Sequence, residues 1–428
     1  MSPVGRKPGP ALRAITLLAS GTALGQLIAI GAMPLITRIY SPAEYGVLGL
    51  FSSVVVIAGS VAGLKYDAAV ILPARNGDGN RIAIGLFVIS ILSVAISSAI
   101  LLLFLIASQF FGGGLLVSMG HWALLLPVGT FAAGVSLSFT ALATRAGEFS
   151  RLSHLPPLQK GASVVVQIGG GLLGVGVGGL LVGALLQSFV SIGLLARGRL
   201  KSVLLVALSF RGTGELRGVA HRYRDFPSVN APTALLNSLA WNSQIFLLAL
   251  FYTPDELGMF SLAMGMVGLP LNVILTAVSQ VYLRESADRK SRPDRARFLW
   301  VRVLVGLLLL SVPIFVGLVL FCRYLVVPIF GSAWSLTEMI ALALLPILWG
   351  RFVTTTLTTT FTVYRRQVWM LVWQVFAVLV TSAAYLLGGA NGLRIDETVA
   401  LASWATLPVY LAIIPLSLRA MSLGVVRS

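Results

Sequence analysis

The chain has 428 residues, 57% of them hydrophobic and only 11% charged, too few polar groups to cover a soluble surface of that size. This excludes a soluble domain and implies an all-α polytopic membrane protein, while the single cysteine, Cys322, excludes a disulfide framework or a cysteine metal cluster. The formal charge of +17 would suggest nucleic acid in a soluble protein, but its placement along this chain marks topology instead.

Met1 to Arg13 has the charge of a signal-peptide start, yet the apolar run that follows is too long for one and reads as an uncleaved first span. A bilayer core takes about 20 apolar residues per helix, and hydropathy places about twelve spans along the chain. They are Leu12–Met33, Val47–Leu64, Ile82–Ala107, Trp122–Thr144, Leu158–Leu173, Gly178–Ala196, Ala231–Phe251, Leu257–Tyr282, Leu299–Phe321, Ser335–Phe361, Val368–Leu387 and Thr398–Leu418. The longest polar break divides them into a six-helix bundle over 1–196, a linker over 197–227 and a second bundle over 228–428. Within the linker, Arg199 to Phe210 mixes bases with Leu and Val and is expected to lie along the headgroups as an amphipathic helix.

One stretch occurs twice. Ile39 to Leu50 reads IYSPAEYGVLGL and Phe251 to Leu262 reads FYTPDELGMFSL, 212 residues further on. In each copy a hydroxyl (Ser41, Thr253), a proline (Pro42, Pro254) and a glutamate (Glu44, Glu256) spell out a capped helix start. The copies follow spans one and seven, so they emerge on the same face and imply two parallel six-helix bundles around a central cavity. Of the 31 Lys and Arg, 27 fall in alternate loops on one side, which places both termini in the cytoplasm.

Polar groups within the spans carry the functional reading. Arg351 lies 13 residues after Glu338 and 14 before Arg365, near mid-membrane, where a cation costs about 2.5–3.5 kcal/mol on insertion scales. Thr355 and Thr358 follow it on one helical face, a stripe that suits an anionic substrate in a hydrated cavity, although threonines also bond back to their own helix. In span seven Asn230, Thr233, Asn237, Trp241 and Gln244 fall near one face, and Gln26 with Thr22 makes a smaller patch on span one. Amides beside an aromatic plate suit a sugar, and interhelical hydrogen bonding would use the same residues.

Coupling to a proton or sodium gradient would fall to Asp67, one of the two deepest carboxylates, which equally pairs with Lys65. No cofactor is expected. His121, His154 and His221 lie on different loops, so neither a metal site nor an enzyme's acid-base constellation is expected. Gly174, Gly176 and Gly179 match G-x-G-x-x-G without a surrounding βαβ unit, and read as close helix packing. Prolines 127, 270, 313, 346 and 408 should kink their spans.

The run Leu18-Ala-Ser-Gly21 through Pro34-Leu-Ile-Thr-Arg38-Ile-Tyr-Ser-Pro-Ala-Glu-Tyr-Gly46 resembles the opening of bacterial polysaccharide flippases of the Wzx-like family. Lys65-Tyr-Asp67 stands where that family usually has Arg-Tyr-Glu. Thr144-Arg145 with Phe149, Tyr223-Arg224-Asp225-Phe226-Pro227, Leu269-Pro270 and Val278-Ser-Gln280 fit the same pattern, which fades after Arg302.

The resemblance implies the fold of the multidrug/oligosaccharidyl-lipid/polysaccharide exporter superfamily and alternating access. The implied cargo is an undecaprenyl-pyrophosphate-linked oligosaccharide, moved to the periplasmic leaflet of the bacterial inner membrane during lipopolysaccharide or exopolysaccharide assembly. Its partners would be that lipid-linked oligosaccharide, membrane lipids and other polysaccharide-assembly proteins, with no nucleic acid. Arg38, Arg145 and Arg224 occupy motif positions, whereas Arg351 lies outside them. The alternatives are an exporter of drugs or small amphiphiles on the same fold, and a membrane polysaccharide polymerase, which the short outer loops disfavour.

Overall fold

The computed structural model describes residues 10–110, 117–199, 203, 205, 213–288, 293–364 and 366–425, and among them all regular structure is helical. In chain order the helices are α1 (Pro10–Ile39), α2 (Pro42–Ala62), α3 (Tyr66–Ala69), α4 (Gly77–Phe110), α5 (Leu126–Ala146), α6 (Phe149–Leu172), α7 (Val177–Ala196) and α8 (Thr213–Arg222). They continue with α9 (Ala231–Leu248), α10 (Pro254–Asp288), α11 (Pro293–Phe330), α12 (Ser335–Val363), α13 (Gln367–Ala390), α14 (Ile395–Leu411) and α15 (Ile413–Val425). The expected amphipathic stretch Arg199–Phe210 falls largely outside the described residues.

Ten helices among the described residues are long and apolar enough to cross a membrane. The expected fifth and seventh spans are helices but are not among the ten. α6 carries Arg151, His154, Gln159, Lys160 and Gln167, and the 18-residue α9 carries Asn237, Asn242 and Gln244. The last expected span is among the ten, as Ile395–Ser422, and is divided at Ala412 between α14 and α15.

Both repeat copies start their helices as the sequence dictates. Ser41 N donates to Glu44 Oε2 (2.9 Å) while Glu44 N donates to Ser41 Oγ (3.3 Å). Thr253 N donates to Glu256 Oε2 (2.8 Å) while Glu256 N donates to Thr253 Oγ1 (3.4 Å). Each pair satisfies two orphan donors reciprocally.

The chain divides into two compact units, residues 1–32 with 50–242, and residues 33–49 with 243–428. In the first unit Ser238 Oγ on α9 donates to Ser60 Oγ on α2 (2.9 Å). Its core centres on α4 and α5, where Phe87 meets Phe139 edge-on at 5.0 Å and Ser90 bonds to Ser138 (2.9 Å).

In the second unit the buried Trp334 indole donates to the Thr37 carbonyl (3.0 Å), and its ring meets Tyr45 edge-on at 5.6 Å. Here the two repeat copies cross. A Cβ at Gly46 would collide with the Pro254 carbonyl, and one at Gly258 with the Pro42 carbonyl, so each glycine faces the equivalent atom of the other copy. Ala43 N donates across this crossing to Asp255 Oδ1 (3.1 Å). The core of the unit is α12, with 72% of its most apolar window buried, tied to α10 by Tyr282 OH and Thr360 Oγ1 at 2.8 Å.

The crossing yields a paired test. Gly258→Ala overpacks it and should cost about 1–3 kcal/mol, read as a lowered melting temperature of the detergent-purified protein. Gly268→Ala, ten residues along the same helix with nothing within 4 Å of its added Cβ, should melt no lower than the parent.

Candidate functional site

The first unit contains a cavity of about 540 Å³ between α2, α5, α6 and α7. Local sequence explains its shape. Pro156 and Pro157 lie inside α6 and lack N–H groups, so the carbonyls of Leu152 and Ser153 lose their helical donors. Gly21 and Gly25 of α1 close onto that stretch, where a side chain at Gly21 would strike the Ser153 carbonyl and one at Gly25 would strike Pro156. On the other side Gly183 of α7 packs against Gln167 and the Ser163 carbonyl. Of the Gly174, Gly176 and Gly179 motif, the first two have positive φ and form the α6–α7 turn rather than a helix contact, and a Cβ at Gly174 would meet nothing within 4 Å.

The cavity wall combines hydroxyls and an amide (Ser52, Ser60, Ser136, Ser188, Gln187) with two cations, Lys65 and Lys160. Gln187 Nε2 donates to Ser163 Oγ (3.2 Å), which fixes the amide against α6. Among the described residues no carboxylate lines the cavity, and neither lysine belongs to an ion pair. Lys65 follows Leu64 in a left-handed turn, with φ of 60° and 47°, a conformation that costs a non-glycine residue of order 1–3 kcal/mol. Two residues on, burial pushes the Asp67 carboxyl above its ordinary range, and the charge of Lys65 pulls the other way. An acceptor-rich anion with neighbouring hydroxyls fits such a wall.

The residues singled out from sequence take separate places. In the first unit Arg145, 8% exposed, is a clamp. Its guanidinium donates to the carbonyls of Pro73 (2.6 Å) and Ala74 (2.8 Å) and to Asn80 Oδ1 (2.9 Å), with longer contacts to Val70 and Ile71. Arg224, Asn237 and Trp241 are exposed, and Gln26 is half-buried with its Oε1 unpartnered.

In the second unit Arg38 is exposed at the end of α1. Arg351 is buried in α12 at 7% exposure with Tyr410 as an electrostatic neighbour, so it does not face lipid. Thr358 Oγ1 donates to the Thr355 carbonyl (2.7 Å), a bond within its own helix. Gln244 is buried and accepts from Tyr385 OH at 3.5 Å.

Sequence reasoning missed the cavity lysines. Lys160 sits near the middle of α6 and inside the expected fifth span, but the charge count assigns it to the loops that set topology. The available signal was the polar spacing Gln159, Lys160, Ser163 and Gln167, which keeps to one helical face through the prolines.

A family model described as "Polysaccharide biosynthesis protein" matches residues 35–340. No curated protein matches the chain significantly. Among solved structures, an inward-facing multidrug resistance MATE family transporter of the MOP superfamily matches with a TM-score of 0.65 at 15% identity, covering 98% of this chain and 96% of that one. A MATE in complex with MaD3S matches with a TM-score of 0.63 at 16% identity, covering 96% of each chain. A MOP superfamily transporter from Pyrococcus furiosus, described by the reverse polarity of its binding pocket, matches with a TM-score of 0.55 at 15% identity, covering 96% of each chain. At these identities the likeness establishes the fold.

Two measurements check the site. Arg145→Met should lower the melting temperature and speed amide exchange over residues 70–80, whereas Arg224→Met, exposed, should do neither. Because burial raises the Asp67 pKa, its contribution to stability is complete below the ordinary aspartate pKa and is lost as pH rises through the shifted value. Asp67→Asn should therefore melt above the parent at pH 7, with the gap closing as pH falls toward 4.

Proposed function

This chain belongs to the polysaccharide biosynthesis protein family and has the fold of a MOP-superfamily transporter, and we propose that it is a flippase for an undecaprenyl-pyrophosphate-linked oligosaccharide. The observation that carries the reading is the acid-free cavity wall on which Lys65 and Lys160 stand among serines and Gln187. A pyrophosphate esterified at both ends is a compact dianion that two lysines compensate, and glycan hydroxyls exchange hydrogen bonds with serine and glutamine side chains. The polyprenyl tail needs no protein cavity, because the bilayer already solvates it. Binding of the headgroup lowers the cost of taking it out of water, and alternating access then exposes the site to the periplasmic leaflet. Asp67, with its raised affinity for a proton, is the group in this unit that would couple such a cycle to a gradient.

In this reading the protein is a transporter rather than an enzyme, a multi-pass protein of the bacterial inner membrane with both termini cytoplasmic. The MATE neighbours favour one other cargo, a small amphiphilic drug. An amphiphilic cation would meet two lysines and no carboxylate on this wall, so the anionic cargo is preferred. Arg351, buried in α12 of the second unit, is proposed as a further cation needed for transport.

In a strain lacking this protein, lipid-linked oligosaccharide should accumulate in the cytoplasmic leaflet; accumulation in the outer leaflet would point to polymerisation instead. Complementation with Lys65→Met/Lys160→Met should reduce surface polysaccharide about tenfold or more at unchanged membrane abundance, from the loss of two charged hydrogen-bond donors. Arg351→Ala should abolish it while the protein still inserts, and normal polysaccharide would remove Arg351 from the path.

A further inference from the structure

The second unit has a separate pocket of about 410 Å³ where the start of α11, the end of α12 and the middle of α15 meet. Its polar lining is Arg297, Arg419, Tyr364, Ser422 and Asp294, and Leu418 and Met421 supply an apolar wall. α15 is held there by one face. Ile413, Ser417, Ala420 and Met421 are buried, and the Trp300 indole of α11 donates to Ser417 Oγ at 3.1 Å. That arrangement leaves Arg419 and Ser422 on the exposed side, next to Arg297 on α11.

Among the described residues neither arginine nor Asp294 belongs to an ion pair. Tyr364, only 6% exposed, lines the pocket beside them. Two guanidiniums thus share the pocket with one carboxylate and a tyrosine.

Depth decides what such a pocket can hold. α11 runs without a charge from Val303 to Cys322, and those twenty residues span about 30 Å, the thickness of the hydrocarbon core. Arg297 is five residues before Arg302, about 7 Å beyond the edge of the core, within the headgroup layer. An arginine pair, a tyrosine hydroxyl and a leucine-methionine wall at that depth match both ends of one molecule, an anionic phosphate and the acyl chains attached to it.

We infer that the pocket formed by Arg297, Tyr364, Arg419 and Ser422 at the basic end of the second bundle binds the phosphate headgroup of an anionic bilayer lipid. The shared chemistry is a phosphate oxyanion held by two arginines; the apolar wall and the depth select the lipid over free phosphate. Asp294 limits the site to a singly charged phosphodiester, because a dianion would meet its carboxylate with only two cations in compensation. The inference does not depend on the cargo of the first unit.

The test uses full-length protein purified in a neutral detergent, with melting temperature followed as phosphatidylglycerol, phosphatidylcholine or inorganic phosphate is added. Phosphatidylglycerol should raise the melting temperature and the other two should not. In Arg297→Gln/Arg419→Gln the half-saturating mole fraction of phosphatidylglycerol should rise about tenfold or more. Arg323→Gln, which removes an exposed arginine paired with Glu338 at the opposite end of α11, should leave it unchanged. Tyr364→Phe, which keeps every charge, should weaken the response by a smaller factor, and this tests the site even if the double variant folds poorly. Equal stabilisation of the parent and the double variant would overturn the site, and an equal response to inorganic phosphate would overturn the lipid as its occupant.

Discussion

The crossing of Gly46 and Gly258 is the contact that joins residues 33–49 to the rest of the second unit. Two helices can approach until their backbones touch only where neither carries a Cβ, and here each glycine meets the carbonyl of the proline that opens the other helix. The reciprocity follows from the repeated motif, since the same spacing of proline and glycine brings the same atoms to both sides of the contact. Capping boxes at Ser41 and Thr253 make the contact possible by fixing where each helix begins, and hence which residue comes to the crossing. A helix start displaced by one residue would turn its glycine about 100° away from the partner.

The repeat was legible in the sequence because it is local. Hydroxyl, proline, glutamate and glycine at fixed offsets specify a helix start whatever surrounds it, and both starts form as expected. Unit membership was less legible. Residues 33–49 join the C-terminal helices through Trp334, whose indole reaches the Thr37 carbonyl almost 300 residues away in sequence, and no hydropathy window reports such a contact. One helix boundary differed: the helix of the fifth span begins at Phe149 rather than Leu158 and runs through Pro156 and Pro157, so Lys160 lies in its middle rather than at its edge. The threonines after Arg351 behave as simple helix chemistry predicts, with Thr358 bonded to Thr355.

The basic residues separate into two physical groups. Arg145, Arg81 and Arg199 are engaged, the first by the carbonyls of the loop before α4, the others by Glu215 and Glu148. They hold segments in place, and a motif position such as that of Arg145 reflects this holding role. Lys65, Lys160, Arg297 and Arg419 have no acidic partner within ion-pair distance among the described residues, and each lines a concave surface. A positive-inside bias accounts for the number of cations on one face. It does not account for two cations drawn into one cavity whose wall is otherwise serine, glutamine and apolar side chains, or for two more that share a pocket with a single carboxylate, Asp294.

Desolvation gives that distinction its force. Moving an ammonium or guanidinium into a partly closed space costs several kcal/mol unless an anion or a set of acceptors replaces the lost water. Protein stability alone would favour a carboxylate opposite each lysine, or a neutral residue in its place. The wall around Lys65 and Lys160 offers serine hydroxyls and a glutamine amide already bonded to Ser163, groups that hydrate a cation without neutralising it. Such a wall keeps its charge available at modest cost, and the missing counter-charge is left for a ligand to bring.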